Sequence, residues 1–121
     1  ITDSRAPFST SGTTIDVMAP GQDILSTITN NSYGIKSGTS MASPNICGSM
    51  LLLQQHYNNV NGNFMKAATL KGIALHTADD LGAAGPDAIH GWGLLNAKAC
   101  AETITKNGKI KNGYHVRTIL R

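Results

Sequence analysis

An α/β fold is predicted by three features of the sequence. Short apolar segments closed by turn residues alternate with longer stretches of helical periodicity. The central helical stretch is apolar on nearly every face, which marks an element enclosed by others rather than laid on a surface. The 121 residues are 40% apolar and 14% charged with 13 glycines, a balance that supports a core with many tight turns and excludes a disordered chain.

Taken in order, residues 1–14 are polar and rich in turn formers. Residues 15–19 form a short apolar segment stopped by Pro20-Gly21, and the pattern predicts a strand. Residues 24–28 are a second extended segment, turned by Asn30-Asn31-Ser32, and residues 33–37 approach Gly38. From 40 to 57 the pattern becomes helical, with Met41, Ala42, Ile46, Cys47 and residues 50–53 spread around the whole circumference. Residues 58–63 make an Asn-rich loop, 64–77 a second helix, 79–87 a polar Gly-rich loop, and Gly91-Trp92-Gly93 a turn or short strand. A third helix is expected over 95–104. Residues 1–105 are assigned to one domain and 106–121 to a tail or linker. Two short strands and two further helices are too few neighbours for a helix apolar all round, so the chain reads as part of a larger domain.

The net charge of +3 is unevenly placed. Lys106, Lys109, Lys111, Arg117 and Arg121 occupy a tail that has no acid, and the preceding residues are net negative. Tyr114 alone interleaves those charges, which argues against nucleic acid as a partner. No apolar run approaches the roughly 20 residues of a membrane span, so no membrane partner is expected. No leader pattern opens the chain, and Ile1 is not expected to be a translation start. Cys47 and Cys100 are too far apart for a metal knuckle and too few for a disulfide scaffold; two buried or semi-buried thiols are expected. Asp79, Asp80 and Asp87 have the charge for calcium, but their spacing matches no loop motif. Asn30 opens a glycosylation sequon that matters only in a glycosylating host.

The stretch from Ser37 to Pro44 carries the chemistry. Gly38 allows backbone geometry that a Cβ resists, and Thr39 and Ser40 then open the long helix. The first N–H groups of a helix lack internal partners and carry partial positive charge, so a hydroxyl there faces donors able to stabilise an oxyanion. Pro44, in the first turn, cannot donate to the Ser40 carbonyl and crowds it. Two readings stand on these residues: a helix cap, for which Ser and Thr are suited, and a nucleophile or anion site. No phosphate-loop Lys follows, which disfavours a nucleotide.

The seven residues Gly38-Thr39-Ser40-Met41-Ala42-Ser43-Pro44 resemble the nucleophile motif of the subtilisin-like serine peptidases. The likeness extends to residues 8–12, Asp16-Val17-Met18-Ala19-Pro20-Gly21, residues 24–27 and Gly91-Trp92-Gly93-Leu94-Leu95-Asn96-Ala97, covering about residues 7–104. It implies the C-terminal part of a three-layer α/β catalytic domain, with a mainly parallel sheet and a buried central helix starting at the nucleophile. Ser40 would be that nucleophile, its backbone N–H contributing to the oxyanion hole. Thr39, Gly38 and Ser37 would complete the cleft wall, and the Met41 sulfur would lie close enough to be oxidised.

The family order is Asp, His, Ser, and the implied Asp, His and oxyanion Asn belong further upstream than the 39 residues before Ser40. His56, His76, His90 and His115 all lack the family's His-Gly-Thr context; His90 fits the approach to the last helix, as a turn or surface residue. The implied function is therefore that of a serine endopeptidase fragment, inactive alone. It would act on a polypeptide substrate when the N-terminal part of the same domain supplies the triad partners. A non-catalytic pseudo-peptidase or binding module is the alternative, and a self-contained hydrolase using a local base such as His90 a third. The resemblance implies an extracellular or periplasmic location, no cofactor, and at most structural calcium in the parent domain.

Overall fold

The structure is a computed structural model that describes residues 3–106. The elements follow in the order β1 (Ile24–Ile28), β2 (Ser32–Lys36), α1 (Thr39–Asn61), α2 (Ala67–His76) and α3 (Ala97–Lys106). This is the partial α/β architecture expected, and two of its features differ from expectation.

The sheet is not mainly parallel among the described residues. β1 and β2 form an antiparallel hairpin, Ile24 opposite Lys36 and Ile28 opposite Ser32. Its turn fits its residues, because Asn30 and Asn31 both take positive φ, 62° and 51°, a conformation Asn tolerates better than most residues. The strand predicted over 15–19 is reduced to one parallel bridge, Met18 to Leu94. Met18 N–H donates to the Gly93 carbonyl at 2.8 Å and its own carbonyl accepts from Leu95 at 3.0 Å. On its other side Leu94 exchanges both bonds with Asp79, at 2.8 and 2.9 Å. Single-residue bridges suffice here because Gly91 and Gly93 let backbones touch. A Cβ on Gly93 would lie 2.0 Å from the Asp79 carbonyl oxygen, and one on Gly91 2.5 Å from that of Ile15.

Burial of α1 is the second difference. The core lies where its C-terminal half meets α2 and α3: Leu53, Tyr57, Met65, Leu70, Ile73, Ala74, Cys100 and Ile104 are buried. Leu51 and Leu52 remain 65% and 69% exposed. The helix is not enclosed among the described residues, because α2 and α3 cover only one of its sides. For the same reason Cys47, expected to be covered, is exposed, whereas Cys100 is buried; both thiols are free.

Helix boundaries follow local chemistry. α1 runs four residues past the expected end because nothing between Tyr57 and Gly62 breaks it; Gly62 then takes the left-handed conformation, φ 74°, and its N–H returns to Asn58 at 2.8 Å. α2 starts later than expected because Lys66 is extended, at φ −64° and ψ 144°, and Gln54 engages the backbone of Met65, donating to its carbonyl at 2.8 Å and accepting from its N–H at 2.9 Å. α3 starts later because Leu94 and Leu95 are engaged in the bridges. Asn96 caps it, its side-chain oxygen accepting from Ala99 N–H at 2.9 Å. The proposed tail lies outside the described residues apart from Lys106, the last residue of α3. Among the described residues no helix is long and apolar enough to cross a membrane.

Candidate functional site

The N-terminus of α1 is built on an approach of two backbones that only glycine permits. Gly38 is the N-cap residue, with φ 156° and ψ 164°, a region that is essentially glycine's alone. Its N–H donates to the Gly21 carbonyl at 2.8 Å. In return Gly21 lies so close that a Cβ on it would meet the Gly38 carbonyl oxygen at 2.8 Å and the Ala42 Cβ at 3.0 Å. The turn predicted at Pro20-Gly21 is thus packed directly against the start of the long helix.

Two side chains flank this approach. Asp23, at φ 55°, donates its N–H to Ser37 Oγ at 2.8 Å, and Ser37 Oγ donates to Asp23 Oδ1 at 3.2 Å. On the helix side, Asn45 Nδ2 donates to the Pro20 carbonyl at 2.9 Å and to the Met41 carbonyl at 3.2 Å. Neither Asp23 nor Asn45 belongs to the seven-residue motif that singles out this stretch. Their signal in the sequence is positional: an Asx residue just after the Pro-Gly turn, and another directly after the proline inside the helix.

Ser40 is the second residue of α1 and is exposed. Met41 N–H takes the Gly38 carbonyl at 3.0 Å, and Ala42 N–H shares it at 3.4 Å. That leaves the N–H groups of the two preceding helical residues without intrahelical acceptors. The first turn holds no acidic residue, so no carboxylate of the helix itself offsets the positive end of its dipole. Met41 Sδ lies 3.7 Å from where a Cβ on Gly38 would sit. A hydroxyl beside free, positively polarised N–H groups can present an oxygen to an electrophile while those donors receive developing negative charge.

A groove of about 1040 Å³ runs along the neighbouring face of α1. Thr39, Ala42, Ser43 and Ile46 line it at helical spacing, with Val17, Met18 and Ile24 on the facing side. Of the four residues predicted for the site, Thr39 faces this groove. Ser37 is engaged by Asp23, Gly38 caps the helix, and Ser40 sits one residue round the helix from the groove wall, about 100° away.

The loop before α3 contributes His90 to the lining of the groove. Its ring is largely covered, and Nδ1 lies 3.5 Å from Asp87 Oδ2 without a hydrogen-bond partner among the described residues. Asp87 Oδ1 accepts the backbone N–H groups of His90 and Ile89, both at 2.7 Å. These bonds hold its carboxyl below the usual carboxylate range. The other two acids considered for calcium face other partners: Asp79 Oδ1 accepts from Asn96 and Asp80 Oδ2 from Gly85. Among the described residues no three His, Cys, Asp or Glu side chains converge as metal ligands. Burial pushes the Cys100 thiol up.

Comparison with known proteins places this geometry in context. The sequence model of the Subtilase family, Peptidase S8, matches residues 1–93. The chain is 56% identical over 59 residues to the "Thermophilic serine proteinase" of Bacillus sp. (strain AK1), covering 48% of this chain and 15% of that protein. It is 35% identical over 99 residues to "Subtilisin DY" of Bacillus licheniformis, covering 82% of this chain and 33% of that one. Against the "PII-type proteinase" of Lactococcus lactis subsp. cremoris it is 35% identical over 130 residues, covering 92% of this chain and 7% of that one. The structure of the CspB protease of Clostridium perfringens superposes with a TM-score of 0.68 at 31% identity, over 74% of this chain and 20% of that one. The chain therefore spans a third or less of each of these relatives. With a family model matching residues 1–93, and a Gly-Thr-Ser helix start packed on a Pro-Gly turn, the chain belongs to the subtilase family.

Proposed function

We propose that this chain is the part of a subtilisin-like serine endopeptidase that carries the nucleophile, Ser40, and that it hydrolyses peptide bonds once the N-terminal part of the same domain supplies the Asp, the His and the oxyanion Asn. The observation that carries the reading is the exposed Ser40 at the unneutralised N-terminus of α1, inside a seven-residue family motif. In this reading Ser40 Oγ attacks the scissile carbonyl as its proton passes to the histidine of the missing part. The carbonyl oxygen becomes an oxyanion that accepts from the Ser40 N–H, and the amine leaves with the proton returned by the histidine. Water then hydrolyses the acyl-enzyme by the same transfers in reverse. Thr39, Gly38 and Ser37 shape the approach to Ser40. The groove beside α1 and the exposed Leu51 and Leu52 support the N-terminal part as the partner. An extracellular or periplasmic location belongs to the same proposal.

The test is covalent. The complete parent protein is treated with a serine-directed fluorophosphonate, digested and mapped. Label on the peptide containing Ser40, absent in Ser40→Ala, is the expected outcome. A folded parent protein that takes up no label would instead be a non-catalytic relative that kept the scaffold.

A further inference from the structure

The Ser40 hydroxyl makes no hydrogen bond to another described residue, so its position depends on what fixes the chain on either side of it. Three residues upstream, Ser37 is locked by a reciprocal pair of bonds to Asp23, 2.8 Å to its oxygen and 3.2 Å from it. Five residues downstream, Asn45 spans from the helix to the turn, donating to the Met41 carbonyl at 3.2 Å and the Pro20 carbonyl at 2.9 Å. Between them the backbone bond from Gly38 to Gly21, 2.8 Å, completes a three-point clasp on residues 20–23. The clasp has particular value where Pro44 leaves the Ser40 carbonyl without its helical donor. Asp23 also holds a left-handed backbone, φ 55°, that a non-glycine residue keeps only when its surroundings impose it.

Resting on the assignment of Ser40 as nucleophile, we infer that Asp23 and Asn45 are positioning residues for it. They act through Ser37 and through the Pro20 and Met41 carbonyls, and set how Ser40 Oγ and its N–H meet the substrate. A misplacement well below an ångström at a reacting atom is enough to slow acylation without weakening substrate binding.

The test uses the complete parent protein and four substitutions: Asp23→Ala, Asp23→Asn, Asn45→Ala and Ser40→Ala. Fluorophosphonate labelling rates, kcat and KM on a peptide substrate, and Tm are measured together. Asp23→Ala and Asn45→Ala are expected to lower both the labelling rate and kcat by about tenfold or more, with KM within about twofold. Asp23→Asn keeps an acceptor for the Ser37 hydroxyl and is expected to recover most of the rate that Asp23→Ala loses. If Asp23→Ala and Asn45→Ala lower Tm but label at the wild-type rate, the two residues are merely structural and the inference is overturned. If Asp23→Asn is as slow as Asp23→Ala, the hydroxyl-acceptor role of Asp23 is likewise overturned. Loss of the nucleophile assignment looks different: the wild-type protein then fails to label at Ser40, or Ser40→Ala labels as fast as wild type.

Discussion

At Gly93 the cost of a single methyl group is set by geometry. A Cβ there would sit 2.0 Å from the Asp79 carbonyl oxygen, at φ +111°. Neither the Asp79 backbone nor the Met18–Leu94 bridge can move without breaking its bonds. Gly93→Ala should destabilise the fold by several kcal/mol, on the order of 3 or more, measured by urea unfolding. Gly12, with nothing within 4 Å of an added Cβ but φ +151°, should lose less, about 1 kcal/mol from backbone strain alone. Asp87 makes a prediction in pH. Its two backbone bonds lower its folded pKa, so the stability it contributes is full above the ordinary carboxylate range near pH 4 and is lost as pH falls through the lowered value. Asp87→Asn should therefore unfold more easily than wild type at pH 6, and the two proteins should converge in acid. Unfolding midpoints across pH 2–7 would read this, and a gap that persists unchanged at low pH would refute it.

The helices separate residues buried among the described residues from apolar residues left exposed on the same elements. Ile73 is 1% exposed between the helices, and Ile73→Ala should cost about 2–5 kcal/mol in any context. Leu52, 69% exposed on the same bundle, should behave differently in two proteins. In the 121-residue chain Leu52→Ala should stay within about 0.5 kcal/mol of wild type. In the complete parent protein it should cost about as much as Ile73→Ala, if α1 is enclosed there. Equal and small effects of Leu52→Ala in both would argue against an enclosed α1. The apolar circumference of α1 was legible from the spacing of its residues. Which arc of it finds a partner within these residues was not, because that depends on where α2 and α3 dock. The predicted strand over 15–19 fails for a related reason: a strand is completed by its partners, and among the described residues this segment finds just the Met18–Leu94 bridge and the bond from Trp92 N–H to the Asp16 carbonyl.

For the molecule as a whole, the groove and the exposed apolar face of α1 lie side by side, with Cys47 on the groove wall. Thiol chemistry can follow their covering. In the 121-residue chain Cys47 should react rapidly with a maleimide at pH 7.5, and Cys100, buried with a raised pKa, only on unfolding. In the complete parent protein Cys47 should become slow as well. Rapid labelling of Cys47 in both would mean that the groove stays open and that the partner docks elsewhere.

By itself the sequence determined the helical content, the extended segment at 24–28 with the turn that follows it, the family and the stretch that bears Ser40. These are written in local periodicity and in turn and motif residues that act over a few positions. Only the tertiary structure decided that Ser37 is tied to Asp23, that Asn45 reaches Pro20, and that Gly91 and Gly93 serve close backbone approach. It also decided which side of α1 meets α2 and α3 among the described residues. Those facts join residues 14 to 25 positions apart or more. Hydrogen bonds and steric contacts at that separation depend on how whole elements pack, which no local pattern of residues encodes.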